Sequence, residues 1–150
     1  MALKFSTDLK NYIVNKAIVE KLAGTCGTAG TAEINIYTGA QPATADTAAS
    51  GTLLCTIIAM GWGTSSIGAT GGTAILAATS GLGYSGTAAT TGTAGWARLQ
   101  TVGLGYSGSA ATFRVDGDVG TSSTSTFVIN TTVITALETV TLLTAPISMA

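Results

Sequence analysis

The groups that could carry chemistry in this 150-residue chain are few: Cys26 and Cys55, seven acids, two arginines, four lysines and no histidine. Hydrolytic triads built on histidine cannot be assembled, and lysine-dependent variants would have to recruit Lys4, Lys10, Lys16 or Lys21, all within the first 21 residues. With no imidazole and two thiols, a zinc site of the usual thiolate–imidazole kind is excluded. A paired-carboxylate glycosidase would need two of Glu33, Asp46, Asp116, Asp118 and Glu138 across a cleft, and no pattern places two of them so. Asp116-Gly117-Asp118 offers two carboxylates at i and i+2, but calcium wants six to eight oxygens and the further acids are missing; an Asp-Gly turn of type I′ or a related type is the reading preferred here. Two stretches match G-x-G-x-x-G, at Gly81/Gly83/Gly86 and Gly103/Gly105/Gly108. Neither leads into a helix whose free amides would meet a pyrophosphate, so these glycines are read as positions of positive φ in tight turns. The chemistry points to no enzyme, no cofactor and no metal.

The elements that must position these residues are organised around Thr93–Gly120. Trp96–Val102 and Ala111–Asp116 both alternate in character and flank a Gly/Ser-rich connector, which predicts a central antiparallel hairpin. It carries Arg98 and Arg114 on opposing strands with Asp116 close by, a surface charge pair of modest value. Trp96 belongs to the core by this reading, whereas Trp62, in the loop Met60–Gly63, suits an interface, where tryptophan is enriched. Residues 7–22 predict the one helix, with Ser6 or Thr7 as cap, Asp8 at its positive end, Gly24 as its stop, and Leu9, Tyr12, Ile13, Ala17 and Leu22 as an apolar stripe. Such a helix either packs on its own sheet or docks on a neighbouring protein.

Ala32–Tyr37 alternates as a half-buried strand, Gly39–Gly51 is a polar loop, and the apolar run Thr52–Ile58 suits a strand covered on both faces. Thr73–Thr79, Ser125–Asn130 and Glu138–Thr144 complete the pattern, with Pro146 as the end of the last strand. GLGYSGTAAT at Gly81–Thr90 recurs as GLGYSGSAAT at Gly103–Thr112, two similar turns and too few copies for a solenoid. The expected architecture is mainly β, an antiparallel two-sheet sandwich, jelly-roll-like, of about eight strands, preceded by one N-terminal helix. Residues 1–23 form the helical segment, 24–31 a linker and 32–150 the β domain.

Charged residues make up 9% of the chain, against about 25% in ordinary soluble domains. Lys4, Lys10, Lys16 and Lys21 with Asp8 and Glu20 give the first 21 residues +2; the remainder carries −3 from Arg98 and Arg114 against five acids. A net charge of −1 provides no field for nucleic acid or a membrane surface. So sparse a set of charges on the β domain predicts a surface largely covered by partners. Cys26 and Cys55 could pair, but spacing alone does not show proximity, and buried free thiols are the expectation preferred here. The N-terminus lacks the apolar core of a signal peptide, Leu53–Met60 is too short to span a bilayer, and synthesis in the cytoplasm is expected. Asn130-Thr131-Thr132 matches a glycosylation acceptor, without weight in that setting.

Four stretches, Ile34–Leu54 (INIYTGAQPATADTAASGTLL), Thr93–Leu99 (TAGWARL), Phe113–Gly120 (FRVDGDVG) and Phe127–Ile134 (FVINTTVI), resemble small structural proteins of tailed-bacteriophage virions. The second GLGYSG copy departs from that pattern, which would carry a shorter turn after the Gly-Trp-Ala-Arg strand. The resemblance implies a non-catalytic virion part made in the host cytoplasm, first of all a capsid cement or decoration protein bound as a homo-oligomer to the major capsid protein or other virion proteins. Alternatives are a neck, tail or baseplate component and, from another class, a receptor- or carbohydrate-binding module. The interface would draw on Leu9, Tyr12, Ile13, Lys16 and Trp62, from the helix and the loop at Met60–Gly63.

Overall fold

The computed structural model describes residues 6–14, 31–59, 69–70, 73–77, 84–102 and 114–148. The expected boundaries at 23/24 and 31/32 fall in or beside 15–30, which lie outside the described residues. Helix α1 spans Thr7–Val14, and Ser6 caps it as expected: its Oγ accepts from Leu9 N at 3.2 Å and its carbonyl from Lys10 N at 3.0 Å. Its nearest strands are β3 (Ala69–Thr70) and β4 (Thr73–Ala77).

The protein is mainly β. Strands β1 (Thr31–Thr38), β2 (Leu53–Ala59), β5 (Tyr84–Thr87), β6 (Gly92–Val102), β7 (Arg114–Gly120), β8 (Phe127–Ile129), β9 (Val133–Ile134) and β10 (Thr139–Ser148) join β3 and β4 in a ten-stranded sheet. The order is β2-β1-β6-β7-β8-β10-β4-β3, with β5 on β10 and β9 on β6. The expected central hairpin is present: β6 pairs β7 antiparallel, with Trp96 opposite Asp118 and Arg98 opposite Asp116, while its other edge carries β1. Leu142 on β10 faces Ile129 of β8 on one side and Tyr84 of β5 on the other. An isolated bridge, Cys55 to Ala88, then brings the end of β5 to β2, so the sheet curls round until it is nearly closed. Ile34, Ile36, Leu54, Ile57, Leu99, Phe127, Ile129, Ile134, Val140 and Leu142 fill its interior, each with almost no exposed surface.

Several local expectations are corrected. Asp116-Gly117-Asp118 is not a turn but the middle of β7. Glycine stands at 117 because Thr126 lies across it: a Cβ there would come 2.5 Å from Thr126 Cγ2. Gly86 is likewise inside β5 and not in a tight turn; an added Cβ would sit 2.3 Å from Thr56 O and 2.9 Å from Cys55 Sγ, at the closure between β5 and β2. Gly81, Gly83 and the second copy of the repeat lie outside the described residues. One pairing is parallel, β7 with β8, over only Val119–Phe127 and Gly120–Val128. The short Thr121–Thr126 link achieves it because Asp118 Oδ1 accepts from both the backbone N–H and the hydroxyl of Thr126, folding the link back on β7. The apolar run in β2 is not covered on both faces: Leu54, Cys55 and Ile57 are buried, while Leu53 and Ile58 are exposed. Pro146 lies within β10 opposite Ile75, and the pairing of β10 with β8 reaches only Thr144, so one edge of β10 has no ladder partner there among the described residues and a missing N–H is tolerated.

Gly86 and Gly39 separate close approach from backbone conformation. Gly39 has φ +79° and nothing within 4 Å of an added Cβ. Gly86→Ala should lower stability by about 1–3 kcal/mol through overpacking at the closure, and Gly39→Ala by about 1–2 kcal/mol through left-handed strain alone. Urea midpoints measure both, and only Gly86→Ala should raise hydrogen exchange at the amides of β5.

Candidate functional site

The strict alternation of β1 and β6 gives the sheet a second face, opposite the aliphatic interior, and most of the chemistry-bearing side chains gather there. Glu33, Asn35 and Tyr37 stand opposite Gln100, Arg98 and Trp96 respectively. On the far side of β6, Asp116 stands opposite Arg98 and Arg114 opposite Gln100. This face is roofed by the segment Gly39–Gly51, which leaves and rejoins the sheet at two residues of positive φ, Gly39 (79°) and Gly51 (82°). Its base is tied by Thr38 N–H to Thr52 O, Thr52 N–H to Thr38 Oγ1, and the Ser50 hydroxyl to Ala40 O.

At the centre is an ion pair. Arg98 Nε donates to Asp116 Oδ1 and Arg98 Nη2 to Asp116 Oδ2, both at 2.7 Å, with 4% and 2% of the two side chains exposed. The expected surface pair is therefore corrected to a buried, two-pronged one. Arg98 Nη2 also donates to Thr47 O at 3.0 Å and Arg114 Nη1 to Ala45 O at 3.4 Å, so both arginines hold the roof by its carbonyls. Hydrogen bonds from Asp116 raise the Arg98 pKa further, against the opposing effect of burial.

Trp96 is fully buried as expected, but on this face and not among the aliphatic residues. Its ring stacks on Tyr37 at 4.7 Å and 15°, and the Arg98 guanidinium carbon lies 5.3 Å from its centroid. Beside it the amide of Asn35 donates to Glu33 Oε1, Gln100 Nε2 donates to the same oxygen, and the Thr56 hydroxyl donates to Asn35 Oδ1. Trp96 Nε1 and Arg114 Nε are buried without an acceptor.

This arrangement binds its own groups to one another. The Tyr37 hydroxyl titrates above its ordinary value, chiefly through burial, partly opposed by Arg98. Cys55 is a buried free thiol, and burial pushes its pKa up, which keeps it protonated and a poor nucleophile; Cys26 lies outside the described residues. No cluster of three metal-ligating side chains occurs among the described residues, and no described helix is long and apolar enough to cross a membrane. The sequence signal for this layer was the alternation itself, which put Glu33, Asn35, Tyr37, Trp96, Arg98 and Gln100 on one face. Its cover was not legible, because Gly39–Gly51 holds only small and polar residues around a single charge.

The residues expected at an interface lie elsewhere. Leu9 and Tyr12 are exposed on α1 and Ile13 is half-buried. Lys16 and Trp62 lie outside the described residues. Comparison with protein-family models, with curated proteins and with solved structures gives no match.

Two outcomes test this layer. Arg98→Met should cost about 3–5 kcal/mol by leaving Asp116 buried and unpaired, whereas Arg98→Met with Asp116→Leu should recover most of that loss, as read by chemical denaturation. Asp118 is held below its ordinary pKa first by the Thr126 hydroxyl, with burial opposing. A depressed folded-state pKa stabilises fully above the unfolded value of about 3.9 and less as pH falls through the folded value. Asp118→Ala should therefore flatten the acid limb of the stability profile below about pH 4, measured by thermal unfolding across pH 2–6.

Proposed function

We propose that this chain is a non-enzymatic structural protein of a tailed-phage virion, a cement or decoration protein that binds the outer capsid lattice and stabilises it. The observation that carries the reading is how the side chains are divided. In the described β domain the arginines and most of the acids are engaged in internal bonds, while Ile58, Val133 and Leu137 are exposed on a surface with few charges. A domain built so favours association over turnover.

The curled sheet is read as two facing layers of a jelly-roll-like sandwich, β2-β1-β6-β7 against β8-β10-β4 with β5. Such a domain, repeated over a lattice as a homo-oligomer on the major capsid protein, would stabilise a shell by many weak contacts acting together. The resemblance of Ile34–Ile134 to small virion proteins supports the same assignment.

Copy number per particle tests it. Quantitative mass spectrometry of virions purified from the encoding phage should give a count comparable to the major capsid protein. A count of a few to a few dozen would move the protein to the neck, tail or baseplate, and absence from the particle would overturn the virion reading.

A further inference from the structure

Leu137 combines two features that folding alone does not favour. It is the one non-glycine residue of positive φ among the described residues, at 71°, and its side chain is 84% exposed. A bulky residue in that conformation is strained, and glycine or asparagine would relieve the strain. The conformation is nevertheless firmly held. Leu137 N–H donates to Ala88 O at 2.8 Å, Glu138 N–H to Thr135 O at 3.0 Å, Thr135 N–H to Glu138 Oε2 at 3.0 Å, and Ala136 N–H to Thr91 Oγ1 at 2.9 Å. Val133, 68% exposed, precedes it on the same segment, opposite Thr93, while Ile134 between them is fully buried and anchors the segment in the interior. Residues 88–93 and 131–137 contain no charged side chain, and the carboxylate of the adjoining Glu138 is turned back on Thr135.

We propose that Leu137, with Val133 four residues before it on the same segment, is a preformed apolar tooth that seats in an uncharged apolar pocket of the capsid lattice. The inference rests on the virion reading and names the contact that reading lacks. Two arguments fix the partner's chemistry. An uncharged tip gains nothing from a charged pocket and would leave that charge desolvated, so the complementary surface is neutral and apolar. A few side chains also fall far short of the roughly 800 Å² per partner that a stable pairwise interface buries. Such a tooth is useful where a repeated array supplies many simultaneous contacts, and a rigid one loses little entropy on seating.

The test is co-sedimentation of the full chain with capsids stripped of it, comparing wild type, Leu137→Asn and Leu143→Thr. Asparagine tolerates positive φ, so Leu137→Asn should melt at or above the wild-type temperature while its apparent affinity for the capsids falls about tenfold or more. Leu143, half exposed on β10, serves as the control, and its variant should bind within about twofold of wild type. Undiminished binding by Leu137→Asn, or equal loss in Leu143→Thr, would overturn the tooth and leave the virion reading intact. Failure of the wild-type chain to bind capsids would overturn both. If analytical ultracentrifugation of the free chain shows self-association that Leu137→Asn abolishes, the partner is a second copy and the lattice pocket is wrong.

Discussion

The buried pair between Arg98 and Asp116 ties the central hairpin to the segment that covers it. Two charges with 4% and 2% of their side chains exposed must satisfy each other and their surroundings, because desolvation of either alone would cost several kcal/mol. The two-pronged geometry fixes the register of β6 against β7 at the hairpin's centre. The second N–H of Arg98 Nη2 goes to Thr47 O, which brings the Gly39–Gly51 roof down on the sheet. Without that roof the pair would be a surface contact worth little. Pair and roof are therefore one cooperative unit: the roof makes the pair strong, and the pair anchors the roof.

The consequences run across β1. Beneath the roof most polar side chains bond one another, Gln100 and Asn35 to Glu33 and Thr56 to Asn35, while Trp96 Nε1 and Arg114 Nε stay without an acceptor. The Tyr37–Trp96 stack occupies the remaining volume with flat, polarisable surface. The sheet thus has two interiors of different character, an aliphatic one inside the curl and a polar-aromatic one beneath the roof. In the described β domain both arginines and most of the few acids are placed where they have an internal partner.

The alternating strands were legible in the sequence where the alternation was long. Ile34 and Ile36 and the β6–β7 hairpin, with Asp116 near the arginines, follow from period-two patterning, and Ser6 was legible as one of two caps; the opposition of Arg98 to Asp116 needed the register. What escaped has a common cause, contacts between segments distant in sequence. Asp116-Gly117-Asp118 carries the local signature of a turn, yet Thr126 crossing Gly117 makes it a strand. Gly86 sits in a turn-like repeat, and its role is set by Thr56 O on another strand. Strands β3, β5 and β9 span two to four residues, too short to show a period, and exist because neighbours pair with them. The burial of Arg98 depended on a roof whose own residues advertise nothing.

The same closure that shapes the interior also prepares the surface. Ala88 bridges to Cys55, joining β5 to β2, and its N–H donates to Glu138 O while its carbonyl accepts from Leu137 N. One residue therefore both closes the sheet and holds the turn in which Leu137 is exposed. Strain at an exposed leucine would ordinarily relax by local rearrangement, since a free turn has many conformations. Here relaxation would require breaking contacts to the strand segment that completes the curl. The exposed apolar tip is consequently tied to the residue that closes the sheet, which separates it from the scattered surface leucines of an ordinary domain.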